Sequence, residues 1–447
     1  MSHRNEYSKI PDIRTALPGP LSEALIQSDE QYTSPSYTRV YPLAVRRGLG
    51  AVIEDLDGNV FLDFTAGIAV CATGHCHPRV VEAIGRQSAR LLHMSGTDFY
   101  NEPQRDLARK LAEIAPGDHP KRVFFTNSGA EAVESALKLA RYHTGRQQVI
   151  AFLGAFHGRT MGALSLTASK KVQRRKFGPL IPGVAHVAYP NCYRRPQNRR
   201  TEQSMKNTLR YIEQELFAKV LPADEVAAVF VEPIQGEGGY VIPPDDFLPR
   251  LKSLCEHHGI LLVADEVQTG MGRTGTMFAV AQTGVVPDIL CLAKGIASGL
   301  PLGAIVARAE TMNWEPGSHA STFGGNPLSC VAALETIALL EEQLIENASR
   351  MGTLLLAGLR NLQARHPLIG DARGKGLMAV IELVRNPQTK EPAVEERNAV
   401  VNACFQRGLL LLGCGASGVR FCPPLVVASD DIDTALRILD DALNEVT

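Results

Sequence analysis

The sequence lacks an excess of charge of either sign and lacks a long apolar run. Its 447 residues include 46 Lys and Arg against 47 Asp and Glu, a formal net charge of −1 at pH 7. No overall field therefore attracts nucleic acid or an anionic membrane surface. The most apolar late stretch, residues 408–419, is far shorter than the roughly 20 residues that span a bilayer. The opening MSHRNEYSKIPDIR has no apolar core of a signal peptide, so we expect neither a membrane segment nor a secretion signal.

The sequence also lacks the pattern of a disulfide framework or a metal site. Its nine cysteines are odd in number and scattered over the chain, which indicates reduced thiols and a cytoplasmic protein. His75, Cys76 and His77 are the nearest approach to a ligand cluster, but adjacent residues rarely all point at one ion. We therefore expect no metal.

One basic stretch departs from the even distribution of charge. It runs over residues 194–200 between Pro and Asn residues and contains no interleaved aromatic side chain. Single-stranded nucleic-acid sites combine basic and aromatic side chains. We interpret the stretch as a solvated surface loop, and we expect no nucleic-acid partner.

What the sequence does contain is an alternation of short apolar runs and helical segments. The chain is long enough for at least two lobes, and Asp57-Gly58 predicts the turn of a hairpin over 51–64. Continuous apolar runs are typical of strands buried on both faces. They lie at 122–126, 149–153, 226–232, 260–265, 288–293 and 302–307. We predict an α/β fold whose main sheet is mostly parallel, with a smaller α/β lobe after a long helix that begins at Pro327.

Lys294 stands at the end of one apolar run, followed by GIASG. Burial lowers the pKa of a lysine because it disfavours the ammonium form, and the neutral amine is the nucleophile for carbonyl chemistry. The alternative is a strand-end lysine whose ammonium reaches water. Lys294 is a candidate nucleophile, with that structural alternative left open.

Asp265 ends another apolar run. Ligands of open α/β sheets bind outside the carboxyl ends of the strands, so this carboxylate suits a metal, a ribose or a cofactor nitrogen. A helix N-cap is the structural alternative. Gly270, Gly272 and Gly275 follow with the spacing of a dinucleotide fingerprint. No clear helix follows them and no acid lies about twenty residues on, which makes a nicotinamide site the weaker hypothesis.

Two helix starts and one loop have features of an anion or ring site. Ser128 and Glu131 match a capping box, and a helix N-terminus also offers free N–H groups to an anion. Capping alone would explain the same residues. The segment 321–326 precedes a helix in the same way. The loop of Phe156, His157 and Arg159 suits a planar ligand and a carboxylate, since arginine binds carboxylates with two parallel hydrogen bonds.

Together, the lysine, the aspartate, the Ser-Gly helix start and the nearby aromatic side chain match the requirements of pyridoxal 5′-phosphate. At these residues the sequence resembles the class III (subgroup II) aminotransferases of fold type I. The resemblance rests on seven segments that stand in the family's order, at 67–78, 124–141, 156–167, 231–239, 261–275, 292–304 and 321–330.

The resemblance implies a role for each cofactor residue. Lys294 would bond to the cofactor and move the proton at the substrate α carbon, and Asp265 would hold the pyridine nitrogen protonated. Phe156 and Val267 would contact the two faces of the ring, with Gln268 near its phenolic oxygen. The other implied contacts are Ser128, Gly129 and Ala130 at the phosphate, His157 beside Phe156, and Thr322 at the phosphate of the other subunit's cofactor.

The resemblance also implies how substrates are bound. Arg159 would take the distal carboxylate of 4-aminobutyrate, with Ile68 as a neighbouring apolar contact. Glu237 and Arg420 would form a switch pair: closed, they neutralise each other and admit an ω-amino group. When they separate, Arg420 takes the α-carboxylate of glutamate, because a buried arginine without a carboxylate is costly.

The implied reaction is transfer of the amino group of an ω-amino acid, such as 4-aminobutyrate, to 2-oxoglutarate by a ping-pong mechanism. Small amino acids and keto acids are the expected partners. Acetylornithine and ornithine aminotransferases keep nearly all of these residues, and amino-acid racemases built on the same scaffold share the motifs. Both remain alternatives.

The family's architecture implies three parts of the chain. Residues 1–69 would form an N-terminal arm and part of a small domain, 70–330 the large cofactor domain, and 331–447 the rest of the small α/β domain. A homodimer or a dimer of dimers is expected, because Thr322 is assigned to the neighbouring subunit's site.

Overall fold

The computed structural model describes residues 6–7, 9–194 and 201–446, without the side chains of 201–205. Its helices are α1 (Pro20–Tyr32), α2 (Ala66–Ala69), α3 (Pro78–Ser88), α4 (Glu102–Ile114), α5 (Gly129–Thr144), α6 (Met161–Leu166), α7 (Lys171–Arg174), α8 (Thr201–Tyr211), α9 (Phe247–His257), α10 (Pro327–Leu339), α11 (Ile345–Arg365), α12 (Val394–Gln406) and α13 (Ser429–Val446). A π-helical segment, Ile212–Phe217, follows α8, and another, Leu340–Leu344, joins α10 to α11. Short 3₁₀ turns lie at Ala223–Glu225, Ala279–Thr283 and Lys294–Ala297.

The strands of the described residues form three sheets. They are β1 (Val45–Leu49), β2 (Val52–Asp55), β3 (Val60–Asp63), β4 (Lys121–Thr126), β5 (Gln148–Phe152), β6 (Val184–Val187), β7 (Val226–Val231), β8 (Leu261–Asp265), β9 (Ile289–Leu292), β10 (Gly303–Arg308), β11 (Ile369–Lys375), β12 (Met378–Asn386), β13 (Glu391–Pro392), β14 (Leu409–Leu410), β15 (Leu412–Cys414) and β16 (Gly418–Phe421). The sheet orders are β1-β2-β3-β14, β4-β10-β9-β8-β7-β5-β6 and β11-β12-β16-β15, with β13 beside β12.

The seven-stranded sheet confirms the predicted mostly parallel α/β fold. Strands β6, β5, β7, β8 and β9 run parallel to one another, whereas β10 runs antiparallel to both β9 and β4. Every residue of β7 and β9 is buried, as expected for strands covered on both faces. The apolar run of β10 could not reveal its reversed direction, because a strand buried on both faces has the same pattern either way.

The topology gathers six strand ends at one edge. Since β4 and β9 both oppose β10, β4 runs in the same direction as the parallel strands. The carboxyl ends of β4, β5, β6, β7, β8 and β9 therefore lie at the same edge, where open α/β sheets bind ligands.

The four-stranded sheet joins the two ends of the chain. Strands β2 and β3 form the predicted hairpin, with Gly58 at φ +82° in its turn. Strand β14 pairs in parallel with β3, placing Leu409 opposite Leu62. The three-part division of the chain at 69/70 and 330/331 stays a prediction.

Helix α10 begins at Pro327, where the sequence predicted the start of a long helix. Asn326 caps it by accepting a hydrogen bond from Leu328 N at 2.9 Å. No described helix is long and apolar enough to cross a membrane.

The structure shows the state of the cysteines and the contact of His75 in the cluster of His75, Cys76 and His77. All nine cysteines are free. His75 Nε2 lies 2.8 Å from Asp63 Oδ2, so its partner is a carboxylate rather than its two neighbours. The described residues contain no group of three or more side chains able to hold a metal. Of the basic stretch, residues 195–200 lie outside the described residues.

Candidate active site

A cavity of about 410 Å³ lies at the edge where these six strands end. Four of the predicted site residues, Ile68, Glu237, Thr322 and Arg420, are not part of its lining. Ten line it: Ser128, Gly129, Ala130, Phe156, His157, Arg159, Asp265, Val267, Gln268 and Lys294. The structure therefore brings together the candidates that follow β4, β5, β8 and β9.

Lys294 begins the 3₁₀ turn after β9, in a left-handed conformation at φ +46°. Its side chain is half-buried and faces the cavity. Burial lowers the pKa of the Lys294 ammonium, and the charge of Arg420 lowers it further, while Asp265 opposes the shift. The amine is therefore neutral more often than that of a surface lysine, which is the form that attacks a carbonyl.

Asp265 forms a buried pair with His157. The His157 Nδ1 to Asp265 Oδ2 distance is 2.7 Å, and both side chains are at most 4% exposed. Burial alone would lower the pKa of His157, but the hydrogen bond and the charge of Asp265 raise it. The other carboxylate oxygen, Oδ1, accepts a hydrogen bond from Val267 N at 3.0 Å. Asp265 is thus held on both sides at the end of β8.

The start of α5, where an anion site was predicted, carries a capping box. Ser128 Oγ accepts a hydrogen bond from Glu131 N at 3.2 Å, and Glu131 Oε2 accepts one from Asn127 N at 2.9 Å. The capping box is confirmed, although Glu131 reaches back to Asn127 rather than to Ser128. A Cβ on Gly129 would lie 2.8 Å from Val267 Cγ1, so only glycine lets the helix start approach this closely.

Glu232 is a cavity residue that the sequence analysis did not single out. It follows β7, is 6% exposed, and accepts hydrogen bonds from Phe156 N at 3.2 Å and Gly236 N at 3.0 Å. Burial raises the pKa of its carboxyl to about 7, against the effect of His157. The sequence pattern that identified Asp265, an acid at the end of a wholly apolar run, is also present at Glu232.

Tyr240 is a second unpredicted residue. Its hydroxyl donates to Gln268 Oε1 at 2.9 Å, and burial raises its pKa well above the usual value, so it stays a donor. With Oε1 occupied, the amide nitrogen of Gln268 is left to donate elsewhere. Tyr240 adopts φ +47°, a strained conformation for a bulky residue. Arg373 Nε holds it by donating to its carbonyl oxygen at 2.9 Å. No local pattern distinguishes this tyrosine from a surface loop residue.

The predicted switch residues are in contact. Arg420 Nη1 lies 3.1 Å from Glu237 Oε2, and their side chains are 6% and 19% exposed. Burial would raise the pKa of Glu237, but Arg420 and Lys170 lower it. Burial would lower the pKa of Arg420, but Tyr240 and Glu237 raise it. Both members are therefore charged, and Arg420 is close enough to affect Lys294.

Three predicted site residues are more exposed than Glu237 and Arg420: Arg159, Ile68 and Thr322. The Arg159 guanidinium lies 5.8 Å from the centroid of the Phe156 ring. Ile68 is 44% exposed within α2, where all four residues have positive φ. Thr322 is exposed and does not reach the cavity of its own chain. Its neighbour Ser321 accepts a hydrogen bond from Asn127 Nδ2 at 3.1 Å.

These features can be tested for fit to pyridoxal phosphate. The first N–H groups of α5 have no partner within the helix, and they face the same cavity as the Lys294 amine. The buried His157 Nε2 makes no hydrogen bond within the described chain, so it can take a ligand contact. A lysine with a lowered pKa, a clamped aspartate and a helix start on one sheet edge fit this cofactor. They define the class of pyridoxal-phosphate-dependent enzymes of fold type I.

Comparison with known proteins agrees with this class. The family model of class-III aminotransferases matches residues 32–443. The chain belongs to the class-III aminotransferase family; it is an enzyme, and pyridoxal 5′-phosphate is its cofactor.

Relatives with different named activities have similar identities. An acetylornithine aminotransferase of Methanopyrus kandleri is 44% identical, with 93% of this chain and 97% of the relative covered. A 4-aminobutyrate aminotransferase of Mycobacterium bovis is 40% identical, covering 96% and 97%. An isoleucine 2-epimerase of Lentilactobacillus buchneri is 38% identical, covering 95% of each. Identity therefore leaves the substrate open.

A solved structure confirms the fold. A thermostable ω-transaminase mutant from Pseudomonas jessenii superposes with a TM-score of 0.89 at 31% identity, covering 95% of this chain and 99% of that one.

Proposed function

We propose that this enzyme moves the amino group of an ω-amino acid of the 4-aminobutyrate type to 2-oxoglutarate in two alternating half-reactions. The observation that carries the proposal is the buried ion pair of Glu237 and Arg420, with Arg159 at the cavity. An ω-amino acid has one carboxylate, and Arg159 can bind it while the ion pair stays closed. Glutamate has two, so its α-carboxylate needs Arg420.

The energetic basis is the burial of Arg420. With 6% of its side chain exposed, the guanidinium needs a carboxylate nearby in every state, because an unpaired buried charge is costly. Glu237 supplies that carboxylate for one substrate and the α-carboxylate supplies it for the other. One cavity can then accept both substrates without leaving a buried cation unpaired.

The residues around the cavity have distinct roles in this proposal. When bound, pyridoxal phosphate supplies a carbonyl carbon for the amino group and an electron-accepting ring. Lys294 moves the proton at the substrate α carbon or its ω equivalent. Asp265, held by the hydrogen bond with His157, would pair with the ring nitrogen and keep it protonated. The helix start at Ser128 binds the phosphate, and Glu232 holds the Phe156 loop against the ring.

The test is a panel of single half-reactions on the purified holoenzyme. Each of 4-aminobutyrate, glutamate, N-acetylornithine and ornithine is mixed with enzyme in the absence of a keto acid, and the visible absorbance of the bound cofactor is followed. We expect fast changes with 4-aminobutyrate and glutamate. An enzyme inert to 4-aminobutyrate but fast with N-acetylornithine would contradict the proposed substrate.

A racemase is the second candidate, and the epimerase relative at 38% identity favours it. A racemase returns the proton to the opposite face of the α carbon and needs no keto acid. Loss of optical rotation of an α-amino acid without any keto acid would support it. Formation of glutamate that depends on 2-oxoglutarate would support the aminotransferase.

We also propose a homodimer, or a dimer of dimers, in which Thr322 reaches the neighbouring site. Thr322 and Phe323 are exposed, and the Phe323 ring lies 4.8 Å from that of His93. Leu92 and Tyr100, on the same stretch as His93, are also exposed. Clustered exposed apolar side chains mark a partner surface, and we assign it to a second copy of this chain. Sedimentation of the holoenzyme should show a dimer or a tetramer; an active monomer would contradict the proposal. The cytoplasmic location stays a prediction.

A further inference from the structure

Glu237 is bound by two cations rather than one. Its Oε2 contacts Arg420 Nη1 at 3.1 Å, and its Oε1 contacts Lys170 Nζ at 2.5 Å. The two partners differ in environment, since the Lys170 side chain is 40% exposed and that of Arg420 is 6% exposed. Glu237 therefore lies between a buried cation and a cation at the surface.

The backbone keeps Lys170 beside the Glu237 loop. Ala168 N donates to Ala155 O at 2.8 Å, and Gly154 N donates to Ala168 O at 3.1 Å. The loop that carries Glu237 packs on the turn at 154–155, since a Cβ on Gly238 would lie 2.4 Å from Gly154 O. The segments that carry Lys170 and Glu237 thus both pack against the turn at 154–155, through Ala168 and Gly238.

Other charged groups act on Glu237 from a greater distance. Lys294 lowers the pKa of Glu237, and Glu237 opposes the lowering of the pKa of Arg397 that burial causes. The ion pairs found for Glu237 in the described residues are those with Arg420 and Lys170. Lys170 is therefore the direct partner that remains when Arg420 is taken by a substrate.

An α-carboxylate that binds Arg420 has to displace Glu237. A displaced carboxylate that stays buried without a partner is costly, and this cost would fall on every substrate that carries an α-carboxylate. A cation already in contact with the other oxygen lowers the cost, because Glu237 keeps one ion pair through the exchange.

We propose that Lys170 determines the balance between the two substrate types by holding Glu237 when Arg420 is released. This inference rests on the proposed function. Lys170 is a positioning residue here: it acts through Glu237 and touches no reacting atom. It favours the open state, and so it favours glutamate and 2-oxoglutarate over ω-amino acids.

The test compares Lys170→Met with Lys171→Met in the holoenzyme. Both changes remove one exposed lysine charge from the same segment. Lys171 makes no ion pair with the side chains that the structure describes, and its carbonyl accepts a hydrogen bond from Arg175 N. Glutamate and 4-aminobutyrate half-reactions are titrated in each variant through the visible absorbance of the bound cofactor. We expect the kcat/KM ratio of 4-aminobutyrate over glutamate to rise about fivefold in Lys170→Met, which corresponds to about 1 kcal/mol. The rise should come from the KM of glutamate, and Lys170→Arg should restore the wild-type ratio.

The outcomes separate this inference from the proposed function. If both substrates react in the wild type and the ratio in Lys170→Met stays within about twofold of that in Lys171→Met, the role of Lys170 is wrong and the function stands. If the wild type does not react with 4-aminobutyrate, the proposed substrate is wrong. The glutamate KM alone then decides the role of Lys170: a rise specific to Lys170→Met supports it, and no rise overturns it. Absence of any reaction with glutamate overturns both.

Discussion

The residues assigned to the cofactor line the cavity, whereas the pair assigned to substrate exchange lies beyond its lining, and the two sides are built in different ways. On the cofactor side, Lys294, Asp265 and Ser128 follow strands of one sheet, and Asp265 is clamped by a histidine and a backbone N–H. On the substrate side, Glu237 and Arg420 come from a loop and from β16 of a different sheet, and an ion pair joins them. In the proposed function, the cofactor side supports one chemistry, and exchange of the ion pair lets the substrate side accept two substrates.

Lys294→Ala should produce the largest effect, because it removes the amine to which we assign the bond to the cofactor and the transfer of the substrate proton. We expect turnover to disappear while the far-UV circular dichroism spectrum stays that of the wild type. The cofactor should still bind through the helix start and Asp265. A variant that keeps more than about 3% of the wild-type rate without added amine would assign the chemistry to another residue.

Asp265→Asn should have the second largest effect. The amide has no charge to hold a protonated ring nitrogen, so we expect the half-reaction to slow by about a thousandfold, or about 4 kcal/mol of barrier. Cofactor affinity should change much less.

Glu266→Gln is the matched control, since Glu266 is the next residue along the chain and is also a buried carboxylate. Its Oε1 accepts a hydrogen bond from Val280 N at 2.6 Å, and Glu266 is not part of the cavity lining. Equal slowing of both variants would show that Asp265 matters for structure and not for proton transfer.

Tyr240→Phe should have the smallest effect of the three changes on the cofactor side. It removes the hydroxyl that orients the Gln268 amide, a hydrogen bond of about 1 kcal/mol, so we expect cofactor affinity to fall about fivefold. The pH at which the visible absorbance of the bound cofactor changes should also shift. Tyr41→Phe is the control, because the Tyr41 hydroxyl donates to Leu411 O at 3.2 Å and not to a site residue. Identical spectra and affinities in both variants would remove Tyr240 from the site.

The same contrast explains what could be predicted from the sequence. The strands, the hairpin at Gly58 and the capping box of Ser128 are local patterns, and the cofactor candidates stand at the ends of those strands. Lys170 was missed because its partner Glu237 is 67 residues away, and no pattern within a short window encodes that contact.

Two other omissions have different causes. The reversed direction of β10 leaves no trace in an apolar run. Glu232 had the same signal as Asp265, an acid after a buried strand, and it could have been found by applying that criterion to β7 as well.

The most direct measurement of the substrate exchange compares Arg420→Ala with Arg159→Ala in separate half-reactions. Arg159 is assigned a carboxylate that both substrates carry, so Arg159→Ala should weaken 4-aminobutyrate and glutamate alike. Arg420→Ala should lower kcat/KM for glutamate by about 30-fold to several thousandfold, the range for losing one partner of a buried charge pair. The 4-aminobutyrate half-reaction should stay largely intact, because its carboxylate does not use Arg420. Equal damage to both half-reactions by Arg420→Ala would contradict the exchange of Glu237 for a substrate carboxylate.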